Sequence, residues 1–90
     1  MNFNTLKEFL VKMRLIDETP QNGFHLVLDN GYTVSIQWKE ISYCHHDGSS
    51  AELAAWDKDG NWLKLSENDD VIGWQSVDDA LKLIIEISQK

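Results

Sequence analysis

The sequence predicts an α+β fold in the order α-β-β-β-β-α: a four-stranded antiparallel meander with both terminal helices on one face. Three observations predict it. Apolar residues recur at helical spacing near both ends of the chain. Between them lie two alternating runs, FHLVLDNGYTVSIQW and AELAAWDKDGNWLKL, each folded about a glycine-containing turn. The parity of those runs gathers the apolar side chains on one sheet face, which is the face the helices need.

Residues 4–16 read as the first helix. Leu6, Phe9, Leu10, Met13 and Ile16 form its apolar stripe, and Lys7, Glu8, Lys12 and Arg14 take the other side. Asn4 is the expected N-cap, and Pro20 and Gly23 end the segment.

In the first hairpin, a two-residue turn at Asn30-Gly31 would mix polar and apolar residues on both faces. A three-residue turn, Asp29-Asn30-Gly31, pairs Leu28 with Tyr32, Leu26 with Val34 and Phe24 with Ile36, which leaves one apolar face. Gly31 then takes the left-handed conformation that glycine adopts without steric cost. In the second hairpin the turn Lys58-Asp59-Gly60 pairs Trp56 with Trp62, Ala55 with Leu63 and Leu53 with Leu65. Residues 39–50 are expected to be a loop. Residues 66–75 read as acidic and irregular, anchored by Val71, Ile72 and Trp74. The last helix, SVDDALKLIIEI, has Ser76 as N-cap and Asp79 in the capping-box position. Its buried stripe is Val77, Ala80, Leu81, Ile84 and Ile87.

Ninety residues make a single domain, 1–90. A chain of this size buries roughly 60–65% of the surface its unfolded form exposes, enough for one small core. No run approaches the ~20 apolar residues of a membrane helix. The charged residues inside MNFNTLKEFLVKM argue against a signal peptide, and the single cysteine cannot form an internal disulfide. The expected location is therefore the cytoplasm.

The net charge is −7 and uneven: residues 1–41 carry five acids and four bases, and residues 42–90 ten acids and four bases. Such a surface repels nucleic acid and anionic membranes and suits a basic protein partner.

Four groups have residue types that carry chemistry. Cys44-His45-His46-Asp47 has metal-ligand types, but structural zinc pairs are usually spaced two to four residues apart and there is no second Cys/His pair. A Cys44 nucleophile with His45 or His46 as base lies within one loop and lacks an oxyanion motif, whereas such pairs usually come from separate elements. DKDGN departs from the EF-hand pattern and fits a hairpin turn, whose backbone favours these residues. Asp57, Asp59, Glu67, Asp69, Asp70, Asp78 and Asp79 form an acidic zone; Asp57 and Asp59 are explained by the turn and Asp78 and Asp79 by capping, with a nucleic-acid-mimicking array as the alternative. No catalytic residue, metal or cofactor is assigned.

The tryptophans carry more. Trp38 continues the core parity of Val34 and Ile36, and Trp74 is expected to plug the edge of the core. Trp56 and Trp62 fall on the opposite face with His25, Val27, Thr33, Ser35, Gln37, Glu52, Ala54 and Lys64. If that face is open they are an exposed aromatic pair of the kind that marks interaction surfaces; otherwise the 39–50 loop, with Tyr43, covers them. The expected partner-binding residues are Trp56, Trp62, Glu52, Lys64, Gln37, Asp57 and Asp59.

The segments LDNGYTVSIQW, YC, AELAAWDKDGNWLKL and DDVIGWQSVDDALKLI carry a resemblance to a group of small uncharacterised proteins encoded by bacteriophages and prophages. The shared pattern is an NGY-V-S strand, a Y-C or Y-G loop, an AE-A-W-D--G hairpin and a V-G before the final helix, across roughly residues 26–88. The resemblance implies an accessory protein acting in the bacterial host cytoplasm. By analogy it implies an inhibitor of a host or defence protein, CRISPR systems included. The expectation is thus a non-enzymatic protein-binding protein. A small-ligand binder, for a nucleotide, is the alternative, although there is no glycine-rich phosphate loop and Arg14 is the only arginine. A homodimer across the same face is also open.

Overall fold

The computed structural model describes residues 1–16, 22–67 and 69–90. Pro20, one of the expected helix terminators, lies outside them. The elements are α1 (Phe3–Lys12), β1 (Gly23–Val27), β2 (Thr33–Gln37), β3 (Ala51–Trp56), β4 (Val71–Gln75) and α2 (Val77–Ser88). The strands form one antiparallel sheet in the order β1-β2-β3-β4. Both helices contribute to a single core on one sheet face: Phe3, Leu6 and Leu10 from α1 and Val77, Ala80 and Ile87 from α2 meet Phe24, Val34, Ile36, Leu53 and Ala55. The α-β-β-β-β-α meander is the fold class the sequence predicts. Among the described residues no helix is long and apolar enough to cross a membrane.

Register follows from the turns. Phe24 pairs with Ile36, His25 with Ser35 and Leu26 with Val34, the pairing the three-residue turn requires. Gly31 has φ +91°, and the Leu28 amide closes the hairpin on the Tyr32 carbonyl at 2.8 Å. Asn30 also ties this turn to α2, its Nδ2 donating to the Ile87 carbonyl at 2.8 Å.

Trp38 centres the core. It is fully buried, stacked on Phe3 at 5.7 Å and edge-on to Phe24 at 6.1 Å. Its indole Nε1–H donates to Asn4 Oδ1 at 3.2 Å, which satisfies the one polar group such a ring brings inside.

Three expectations are corrected. First, α1 starts and stops earlier than 4–16. Asn2 is the N-cap, its side chain accepting from the Asn4 amide. The helix ends in a Schellman motif: Arg14 at φ +58° donates its amide to the Val11 carbonyl, and the Leu15 amide reaches back to Leu10. Phe9 and Met13 of the expected stripe are exposed. Second, the fourth strand is 71–75 rather than 61–65. The second hairpin closes as expected, with Gly60 at φ +83° and a Trp56–Trp62 bridge. After the Leu63 amide bonds to Ala55, however, the chain leaves the sheet, and Val71 and Ile72 pair with Ala54 and Leu53. One edge of β3 is thus shared by two successive segments. Third, Trp74 is exposed rather than plugging the core, and Leu81 of the expected α2 stripe is partly exposed.

The Ser76 capping box is present as expected. The Asp79 amide donates to Ser76 Oγ at 3.1 Å and the Ser76 amide to Asp79 Oδ2 at 3.0 Å.

Candidate functional site

The helices cover one sheet face, and the register orders the other into three rows across the strands. One row is Val27, Thr33, Trp56 and Trp62. The middle row is His25, Ser35, Ala54 and Val71. The third is Gly23, Gln37 and Glu52. The middle row is small at its centre, where Ser35 and Ala54 are only 7% and 8% exposed. Small central residues between an aromatic wall on one side and a polar wall on the other make this face a trough in side-chain size.

The aromatic wall is built by the hairpin turn. Asp57 accepts from the amides of Asp59 and Asn61, each at 2.9 Å, and from Asn61 Nδ2 at 3.2 Å. These bonds, led by that from the Asn61 amide, hold the Asp57 carboxyl below the usual carboxylate range. The fixed turn places Trp62 against Trp56, with ring centroids 5.2 Å apart and planes at 35°. His25 packs edge-on to Trp56 at 5.2 Å. Trp62 is 53% exposed.

The polar wall is built by the 39–50 loop. At one end the loop is tied to α1: the Phe3 amide donates to the Gly48 carbonyl, and the side-chain amides of Asn2 and Asn4 donate to the Asp47 carbonyl. At Tyr43 it crosses β3 and β4. The Tyr43 amide donates to Glu52 Oε2 at 2.9 Å, and the Tyr43 carbonyl accepts from the Trp74 amide at 2.8 Å. Gly73 makes the crossing possible, since a Cβ there would lie 2.6 Å from the Tyr43 carbonyl oxygen. The loop therefore lies over Gly73 and Glu52, and Trp62 stays exposed. Tyr43 and Trp74 are both exposed, and His45 packs edge-on to Trp74 at 4.9 Å.

Among the residues expected to bind a partner, the structure brings Trp56, Trp62, Glu52 and Gln37 onto this face. Asp57 and Asp59 sit in the turn beneath Trp62, where Asp57 organises the backbone. Lys64 is the exception. It follows the chain out of the sheet and lines a groove of about 270 Å³ with Leu63, Leu65, Leu83, Glu86 and Lys90, on the α2 side. Trp74 is the residue that sequence reasoning does not place here, and Tyr43 lies over Glu52 and Gly73 rather than over the tryptophans. Gly73, between β-branched residues and Trp74, is the available signal, because a strand glycine marks close backbone approach.

Cys44 is not a polar loop residue. It is 3% exposed and belongs to the core, with Sγ 3.8 Å from the Gln37 carbonyl and 3.9 Å from His46 Nδ1. Burial pushes its thiol above the ordinary value, and the Glu52 and Asp47 carboxylates add to the shift. A thiol so held is a poor nucleophile at neutral pH. Among the described residues no group of three or more His, Cys, Asp and Glu side chains is arranged to hold a metal ion.

Comparison with known proteins returns no match to any family model, curated protein or solved structure.

Proposed function

We propose that the protein is a non-enzymatic binding module acting by protein–protein contact, and that its contact surface is the outer sheet face with the Trp56–Trp62 pair. The observation that carries this reading is exposed Trp62 packed on half-buried Trp56, beside the small residues Ser35 and Ala54. An aromatic patch at the end of a sheet face that the helices leave free, with the 39–50 loop lying over Gly73 and Glu52 rather than over the tryptophans, is the kind of surface that supplies binding hot spots. The net charge of −7 supports a partner with a basic surface, since charge complementarity speeds and steers association. It argues against direct contact with nucleic acid or anionic membrane. The buried, protonated Cys44 argues against thiol chemistry. The phage-protein resemblance, taken alone, would make the partner a bacterial host or defence protein and the effect inhibition.

The test is capture from bacterial lysate by tagged protein, with the Trp56→Ala/Trp62→Ala variant checked by circular dichroism as control. A protein retained by wild type and lost by the folded variant is the expected result. Equal retention by both removes the tryptophan face as the contact surface. The nucleotide reading predicts instead a thermal shift, about 2.7 kcal/mol of stabilisation at a hundredfold excess over Kd.

A further inference from the structure

The polar end of the trough has features that the fold does not require. Glu52 is half-buried on the outer face, and its carboxylate accepts from the Tyr43 amide at 2.9 Å. None of the three register rows contains a lysine or arginine. Gln37 is the direct cross-strand neighbour of Glu52, and its buried Oε1 has no hydrogen-bond partner among the described residues. The Gln37 side-chain amide leans over Gly23, away from Glu52, so Glu52 is the acceptor that stands at this end without a lysine or arginine in its row.

Trp74 adds an independent observation. It has φ +58°, a conformation that costs a non-glycine residue free energy, yet it is 59% exposed. A residue whose backbone is strained and whose large ring is largely in water gains little burial to offset that cost. Such an outlier points to function rather than packing. Tyr43, also exposed, is fixed at this end through its backbone, its amide donating to Glu52 and its carbonyl accepting from the Trp74 amide.

Resting on the contact surface proposed above, we propose that this end of the trough is a seat for an arginine side chain of the partner. The guanidinium pairs with Glu52 and lies against the rings of Tyr43 and Trp74. Arginine fits better than lysine because its planar fork pairs with a carboxylate and also stacks on aromatic rings. Glu52 and Trp56 are four residues apart on one face of β3, so ~13 Å separates the seat from the tryptophan pair at ~3.3 Å per residue. An extended partner segment lying over Ala54 would therefore place an arginine on Glu52 and an apolar side chain four residues away on Trp56 and Trp62.

The probe is the blocked peptide acetyl-Gly-Arg-Ser-Gly-Ser-Leu-Gly-amide, titrated into the full 15N-labelled protein while the four indole Nε1–H resonances are followed. The resonances of Trp74, Trp56 and Trp62 should move saturably, and that of buried Trp38 should stay fixed. The same peptide with glutamate for arginine should not bind, and lysine in that place should weaken binding. Glu52→Gln keeps an acceptor for the Tyr43 amide and so keeps the loop; it should weaken arginine-peptide binding about tenfold, the loss of one charge-assisted contact. Trp74→Gly should leave the melting temperature unchanged or higher while also weakening binding. No saturable shift, equal binding of the glutamate peptide, or wild-type binding by Glu52→Gln would overturn the arginine seat. Should the peptide fail while lysate capture still depends on Trp56 and Trp62, the contact surface stands and the arginine chemistry falls.

Discussion

Trp38 and Cys44 are both core residues, and they differ in how far the sequence exposes that role. Trp38 follows Val34 and Ile36 at period two, so strand parity alone assigns it to the core. Replacing it with alanine removes the ring that stacks on Phe3 and packs edge-on to Phe24. The expected cost is about 3–5 kcal/mol, comparable to the whole stability of a small domain. Urea titration should show Trp38→Ala unfolded or nearly so in buffer. Cys44 has no such parity. It sits among Tyr43, His45, His46 and Asp47, and its burial comes from the loop folding back beside the Gln37 carbonyl, a non-local event. Its raised thiol predicts that iodoacetamide alkylates native Cys44 far more slowly than the urea-unfolded chain at the same pH. Equal rates would place the thiol in solvent. The same contrast holds on the binding face: Trp56 and Trp62 are legible from the hairpin parity, whereas Tyr43 joins Glu52 and Trp74 only through a loop crossing that no periodicity encodes.

At the level of elements, termini are where pattern and structure part. The α2 start is written locally, in Ser76 and Asp79, and is found as read. The α1 end is not, because Arg14 occupies the left-handed C′ position where glycine is usual. A helical stripe extended through Met13 and Ile16 is the natural misreading. The same geometry makes Arg14→Gly stabilising, by about 1 kcal/mol, measured as a rise in the urea midpoint at unchanged slope; a fall would mean that the Arg14 side chain makes a contact worth more than the strain. The fourth strand departs from its expected place for a related reason. WLKL alternates as well as VIGWQ does, and only the Gly73–Tyr43 crossing decides which segment keeps β3 company beyond Ala54. Gly73→Ala sets a methyl group against the Tyr43 carbonyl. It should dislodge the loop and free the Trp74 amide, seen as faster hydrogen exchange at that position while the β1–β2 amides keep their protection.

For the molecule as a whole, charge and hydrogen bonding pull stability in opposite directions as pH falls. At neutral pH the net charge of −7 is self-repulsive, and protonation toward the pI of about 4.7 relieves it. Below that, specific carboxylates dominate. The Asp79 carboxyl is held low by the Ser76 amide and hydroxyl, and Asp57 by the Asn61 amide. Because their folded pKa values lie below the unfolded value of about 3.9, their contribution is fully present above that value. It is lost as the pH drops through the folded values. Melting temperature should therefore pass through a maximum at mildly acid pH and then fall on further acidification. Added salt should raise the neutral limb by screening the repulsion and shift the maximum little. In Asp57→Asn/Asp79→Asn, where neither side chain can ionise, the acid limb should flatten while the neutral limb keeps its slope. A steep acid limb in that variant would assign acid unfolding to other carboxylates and leave the turn and the capping box with no part in it.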